Sequence, residues 1–183
     1  MTEPNGNRFH ERVDVDAIVY DLDGTLVELL VDWETVARDA TEMFADAGVD
    51  VAGVDLWEML DRAPDAGVAD DLEALVAGYE REGARTSERL PAADVLAEID
   101  LPVGVCSLNC ESACRIALET HDLTPYVDAV VGRDSVATRK PDPEPLLATV
   151  RALSATPDRT LFVGDSERDE VAAERAGTAF EYV

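Results

Sequence analysis

Apolar residues recur along the chain with two different periods. Asp16-Ala-Ile-Val-Tyr20 is a short, mostly apolar run closed by an Asp-Gly step, and it predicts a strand buried on both faces. From about Asp32 to Gly83 only helical spacing appears: Trp33, Val36, Ala40 and Phe44, then Leu56, Met59 and Leu60, then Leu72, Leu75, Val76 and Tyr79. Gly48 and Gly83 stand where helices should stop, and Pro64-Asp65-Ala66-Gly67 breaks the middle. After Pro91, strands and helices alternate. A helix near 91–99 leads to a strand over Val103–Ser107, a helix at about 110–121 and a strand over Ala129–Gly132. Pro143–Leu153 follows as a helix, with Pro145 in its first turn where a missing N–H costs little. Thr160–Gly164 is the next strand, Glu167–Ala176 a helix closed by Gly177, and Thr178–Tyr182 the last strand.

Repeated strand–helix units predict an α/β fold, a Rossmann-like doubly wound parallel sheet with helices on both faces. The all-helical block interrupts this alternation just after the first strand, so it reads as an insertion at that strand's C-terminal end. The boundaries follow: 14–27 and 89–183 form the α/β core, 28–88 the helical insertion, and 1–13, polar with Pro4, Asn5, Gly6 and Asn7, a loose tail.

Charge changes this picture. The 183 residues hold 40 acidic and 15 basic side chains, a formal net charge of −25, and Lys140 is the sole Lys among them. Such a surface repels nucleic acid and anionic membranes, so neither is an expected partner. The acidic residues alternate with Val, Leu and Ala along helical patterns, so they belong on the faces of folded helices and not in a disordered tract. Self-repulsion of this size strains a compact state when the Debye length is about 10 Å, at 0.1 M salt, and much less when it is about 3 Å, at 1 M. A halophilic protein is therefore expected. Its urea midpoint should rise from 0.1 M to 3 M KCl, and equal midpoints would refute the idea.

No apolar run is long enough to span a membrane and no export signal opens the chain, so the cytoplasm is the expected compartment. Cys106, Cys110 and Cys114 are odd in number and lack a nearby His or fourth Cys, so they are expected as free thiols acting as small buried residues.

Four short segments fall at the C-terminal ends of predicted strands, where open parallel sheets bind ligands. Asp21-Leu-Asp-Gly-Thr-Leu26 sends two carboxylates out of a strand with Gly24 to allow a sharp turn. Ser107-Leu-Asn109 offers a hydroxyl and an amide, and Arg139-Lys-Pro-Asp-Pro143 holds a cation between prolines. Gly164-Asp-Ser-Glu-Arg-Asp169 places two more carboxylates at a strand-to-helix turn. Singly, each is common turn or cap chemistry. Their order and shared sheet edge carry the argument.

This ordered set resembles the haloacid dehalogenase-like superfamily, whose hallmark is Asp-x-Asp-Gly-Thr-Leu. The resemblance runs from about residue 14 to 183 and includes Lys140-Pro-Asp-Pro-Glu-Pro-Leu and Gly164-Asp-Ser with Asp169, Ala172, Ala173 and Gly177. The helical insertion resembles the small cap of phosphoglycolate phosphatase-like and β-phosphoglucomutase-like members. The resemblance implies a Mg²⁺-dependent phosphatase. In it Asp21 attacks phosphorus as a nucleophile and Asp23 serves as acid and then base, a role that calls for a raised pKa. Mg²⁺ is held by the Asp21 carboxylate, the Asp23 backbone carbonyl and Asp165, with Asp169 behind them orienting its waters. Ser107 and Lys140 hold the phosphoryl oxygens, Lys140 also offsets the Asp cluster, and Asn109 lies beside the pocket.

A small phosphorylated metabolite, phosphoglycolate-like or a sugar phosphate, is the expected substrate. A β-phosphoglucomutase-like phosphomutase is the alternative, disfavoured because the insertion is short and shows no dedicated acid–base pair. A non-catalytic binding domain comes third, since the full residue set is present. Dehalogenation does not need the acid that Asp23 supplies, and no glycine-rich nucleotide loop appears. Oligomeric state is not legible in the pattern.

Overall fold

The computed structural model describes residues 14–183, so the tail assigned to residues 1–13 lies outside the described residues. Its centre is a five-stranded sheet formed by β1 (Ala17–Tyr20), β4 (Val103–Cys106), β5 (Ala129–Val131), β6 (Thr160–Gly164) and β7 (Ala179–Tyr182). The strand order is β5-β4-β1-β6-β7, and every neighbouring pair is parallel. The helices between strands are α4 (Glu111–Thr120), α5 (Glu144–Ala152) and α6 (Glu167–Ala176). The segment expected as a helix near 91–99 is a 3₁₀ helix over Pro91–Glu98.

The period-2 alternation of a strand explains how the sheet is covered on both sides. Ile18, Tyr20, Val103, Val105, Leu161 and Val163 face one layer with Ala113, Cys114, Ala117 and Leu118 of α4. Ala17, Val19, Cys106 and Phe162 face the other with Leu146 and Val150 of α5 and Ala173 of α6. Ile18 and Phe162 are fully enclosed, each contributing about 1.5–3 kcal/mol by leaving water. This is the doubly wound arrangement that the alternating pattern predicts.

Between β1 and the rest lie α1 (Trp33–Asp46), α2 (Leu56–Ala66) and α3 (Ala69–Arg85). Their stripes meet in a core of their own: Val36, Ala40, Phe44, Met59, Leu72 and Val76 are buried together. Asp32 and Asp55 cap α1 and α2 by accepting backbone N–H groups of Thr35 and Glu58. Gly67, in the left-handed region, closes α2 as the Pro-Asp-Ala-Gly break suggests. Two expectations need correction. Trp33 does not join this core: it stands 36% exposed at the start of α1. Gly83 does not stop its helix, because α3 continues to Arg85. Its bare Cα instead lets the Leu30 backbone and the Val31 side chain press against α3, where a Cβ would lie 2.5 Å from Val31 Cγ2.

An antiparallel ribbon, β2 (Val27–Glu28) with β3 (Glu88–Arg89), joins the two crossings between sheet and helical block. Two-residue strands leave no readable period, which is why the sequence gives no sign of it. No helix among the described residues is long and apolar enough to cross a membrane.

Candidate active site

Strand order brings three of the four segments together, because β1 lies between β4 and β6 and all three end on one edge. The fourth, with Lys140, is not at a strand end as the sequence suggests but comes from the loop between β5 and α5. The Asp21 N–H still bonds Val163 O at 2.8 Å, so this carboxylate emerges directly from the sheet. The chain then winds around the Leu22 carbonyl, which accepts N–H groups from Thr25, Leu26 and Val27. Gly24 makes that turn at φ +81°, and a Cβ there would lie 2.3 Å from Asp165 Oδ2. Conformation and contact thus both exclude a side chain at position 24. On β6's end, Asp165 is followed by a capping box in which Ser166 and Asp169 satisfy each other's backbone N–H groups.

Asp21, Asp23, Ser107, Asn109, Lys140 and Asp165 line one pocket of about 440 Å³, so the predicted residues converge. Asp169 is wholly enclosed behind it. Lys140 is also buried, and its ammonium donates to Asp21 Oδ1 at 2.8 Å, to Asp169 Oδ1 at 2.5 Å and to Cys106 O at 3.0 Å. All three ammonium protons are therefore engaged by protein oxygens. Ser107 Oγ donates to Asn109 Oδ1 at 3.0 Å and accepts the Asn109 N–H at 3.2 Å.

Burial dominates the electrostatics. It pushes the Asp21 carboxyl up to about 7, with Lys140 pulling it down and Asp169 pushing it up. The Asp23 carboxyl is pushed up to about 6, again chiefly by burial and against the pull of the Leu29 N–H, which bonds its Oδ1 at 2.8 Å. Asp165 is also raised, by burial first and by Asp169 next. Burial holds the Lys140 ammonium back, but Asp21 and Asp169 together keep it firmly protonated.

Carboxylate oxygens of Asp21, Asp165 and Asp169 lie within 4.8 Å of one another. One ammonium among three such groups leaves a negative excess in a poorly solvated place. A small hard dication that prefers oxygen ligands fits that set. Of these three, Asp21 and Asp165 face the pocket, while Asp169 is enclosed behind it and bonded to Lys140 and Ser166.

Several residues here escaped the sequence reading. Trp33 and Trp57, the two tryptophans of the chain, both line the pocket from the helical block. Arg168 lies over the Trp57 ring at 5.3 Å. Behind the Ser107–Asn109 turn, Glu80 of α3 is completely buried and paired with buried Arg133. Leu72, Val76 and Glu80 fall at spacings of four, so a carboxylate in an apolar stripe was a visible signal; nothing in the pattern marks Arg133. Cys106, Cys110 and Cys114 are free and buried. A separate groove of about 370 Å³, lined by Tyr20, Leu90, Pro91, Val95 and Val163 among others, has no charged group to meet a phosphate.

A family model for haloacid dehalogenase-like hydrolases matches residues 18–183. A phosphoglycolate phosphatase of Cereibacter sphaeroides is 33% identical over 181 residues, covering 89% of this chain and 82% of that protein. Two solved structures share the fold. CbbY from Rhodobacter sphaeroides, in complex with phosphate, has a TM-score of 0.64 at 23% identity, covering 92% of this chain and 85% of that one. β-Phosphoglucomutase from Clostridium difficile also gives 0.64, at 18% identity, covering 91% and 83%. With strand order, site edge and family match in agreement, the chain belongs to the haloacid dehalogenase-like hydrolase family and is a phosphoric monoester hydrolase.

Proposed function

We propose that the chain is a Mg²⁺-dependent phosphatase of a small acidic phosphoester, phosphoglycolate-like in size and charge. The observation that carries this is the convergence of Asp21, Asp165 and Lys140 at the mouth of β1 beside Asp23 and Ser107. An Asp21 oxygen attacks phosphorus and the ester P–O bond breaks, leaving an aspartyl-phosphate on the protein. Asp23, raised by burial to about 6, gives its proton to the departing alkoxide. It then takes a proton from the water that attacks phosphorus, and inorganic phosphate and free Asp21 result. Bound between Asp21, Asp165 and the Asp23 carbonyl, Mg²⁺ would supply charge neutralisation for the phosphoryl oxygens. Lys140 contributes as a fixed charge, since its protons already have protein acceptors. With substrate bound, Ser107 would turn its one hydroxyl proton from Asn109 Oδ1 to a phosphoryl oxygen, its oxygen still held by the Asn109 N–H.

Two observations bear on the leaving group. The helical block gives the pocket only the indoles of Trp33 and Trp57, with no acid or base to reorient an intermediate, which favours hydrolysis over phosphomutase chemistry. Among the described residues no carboxylate pairs with Arg168, although the chain is rich in acids, and its guanidinium is steadied on the Trp57 face. It suits a substrate carboxylate, and Glu167 beside it would oppose a second one. Several relatives are named phosphoglycolate phosphatase, which supports the same choice.

The test is phosphate release in molar KCl with Mg²⁺ from phosphoglycolate, glucose 6-phosphate and β-glucose 1-phosphate. Phosphoglycolate should be favoured, and Arg168→Gln should raise its KM about tenfold while leaving sugar phosphates unchanged, the loss of one charge-assisted bond. Glucose 6-phosphate formed from the 1-phosphate without free phosphate would establish the mutase instead. No turnover of any ester would leave a binding domain.

A further inference from the structure

We infer that Glu80 and Arg133 are positioning residues for the phosphate-binding turn, and that they lock helix α3 of the insertion to that turn. The inference rests on the phosphatase reading, because it gives Ser107 and Asn109 a phosphate to meet. Glu80 is fully buried, yet both its oxygens are used. Oε2 accepts the Cys110 N–H at 2.9 Å, and Oε1 accepts the Asn109 side-chain amide at 3.4 Å. Arg133 Nη1 donates to Glu80 Oε1 and, at 2.8 Å, to the Leu108 carbonyl. Its Nη2 donates to Glu80 Oε2 at 3.0 Å and to Glu73 Oε1 at 2.7 Å, while Nε donates to Glu73 Oε2 at 3.1 Å. The backbone adds a further tie, Arg133 N–H to Asn109 O at 2.9 Å.

The pair therefore grips the turn at Leu108 O, Asn109 Nδ2 and Cys110 N. Asn109 in turn fixes the Ser107 hydroxyl through Oδ1. An ordinary packing contact would not need charged groups here, since leaving two buried ions unpaired is costly and apolar side chains fill such space as well. What charge adds is a direction for each of three backbone or amide groups around the turn. Because Glu73 and Glu80 both belong to α3, that helix cannot swing away without breaking the grip on Ser107 and Asn109. Access to the pocket then falls to the α1 and α2 side, where Trp33 and Trp57 lie.

Glu80→Gln keeps shape and can still accept one bond, so it is the first variant. It should fold, lower kcat by about tenfold or more, and weaken inorganic phosphate binding, read from the fluorescence of Trp33 and Trp57, while Mg²⁺ affinity stays unchanged. In an Asn109→Ala background the same change should cost less than it does in the parent, since part of the Glu80 effect passes through Asn109. Glu80→Leu with Arg133→Met supplies a second test, an apolar pair of similar volume that restores packing without direction. It should still fold, with packing offsetting part of the cost of the bonds lost around the turn, and lose phosphate affinity. Unchanged kcat and phosphate binding in folded Glu80→Gln, or additive losses with Asn109→Ala, would overturn the inference. An inactive parent would instead count against the phosphatase reading itself. Full activity in the apolar double variant would reduce the pair to packing.

Discussion

Asp21→Asn is expected to lower turnover by roughly 10⁴-fold or more, the scale for removing a group central to covalent catalysis. The amide keeps the shape of the carboxylate but cannot attack phosphorus, and it weakens the carboxylate set facing the pocket. Folding should survive the change. Asp21 is almost enclosed, 6% exposed, and burial already pushes its carboxyl up to about 7, so a neutral group suits the site. Lys140 keeps Asp169 and the Cys106 carbonyl as acceptors. The measurement is kcat together with a urea midpoint in the same molar KCl. Activity near that of the parent, in protein freed of contaminating phosphatase, would show that another group is the nucleophile.

Lys140→Arg is expected to have the next largest effect, with turnover down about 10²-fold or more, the scale for displacing one well-placed electrostatic stabiliser. The ammonium sits between Asp21, Asp169 and the Cys106 carbonyl, with the Phe162 ring centroid 5.4 Å away. A planar guanidinium is wider and its donors splay in a fork, so it cannot meet three converging acceptors from the same point. Overpacking of this kind costs about 1–3 kcal/mol of stability. Lys140→Met separates charge from size: it leaves Asp21 and Asp169 buried without their cation, at a cost of about 3–5 kcal/mol in the metal-free protein. Mg²⁺ should restore part of that stability in the Met variant. Full turnover in the Arg variant would remove Lys140 from the proposed machinery.

The parallel sheet and its site edge were legible because long-period signals specify them. Thr160–Gly164 and Glu167–Ala176 come out with the bounds that their apolar run, cap and closing Gly177 predict. Convergence of Asp21, Ser107 and Asp165 follows from each lying just past the end of a strand in a parallel sheet, whereas Lys140 is carried in by the loop between β5 and α5 and not by a strand end. What stayed hidden depends on tertiary contact. Gly83 looks like a helix stop in one dimension, yet it is the place where another segment crosses α3. Trp33 keeps helical spacing with Val36 and Phe44, but standing at the first turn of α1 it looks out over the pocket. Arg133 carries no periodicity at all. Its role exists only because the fold brings Glu73 and Glu80 to it from more than fifty residues away in sequence.

The enclosure of Lys140 also has a chemical consequence. It is the only lysine, and at 3% exposure its amine is shielded from reagents. Acylating or aldehyde labels aimed at lysine therefore have no surface ε-amine to react with on the folded chain, whatever they do at an α-amino terminus. Immobilisation or dye attachment through lysine would select molecules whose catalytic centre has come apart. Slow acylation at this one residue reads, in effect, as a clock for the opening of the pocket, and a bound ligand that holds the pocket together slows it.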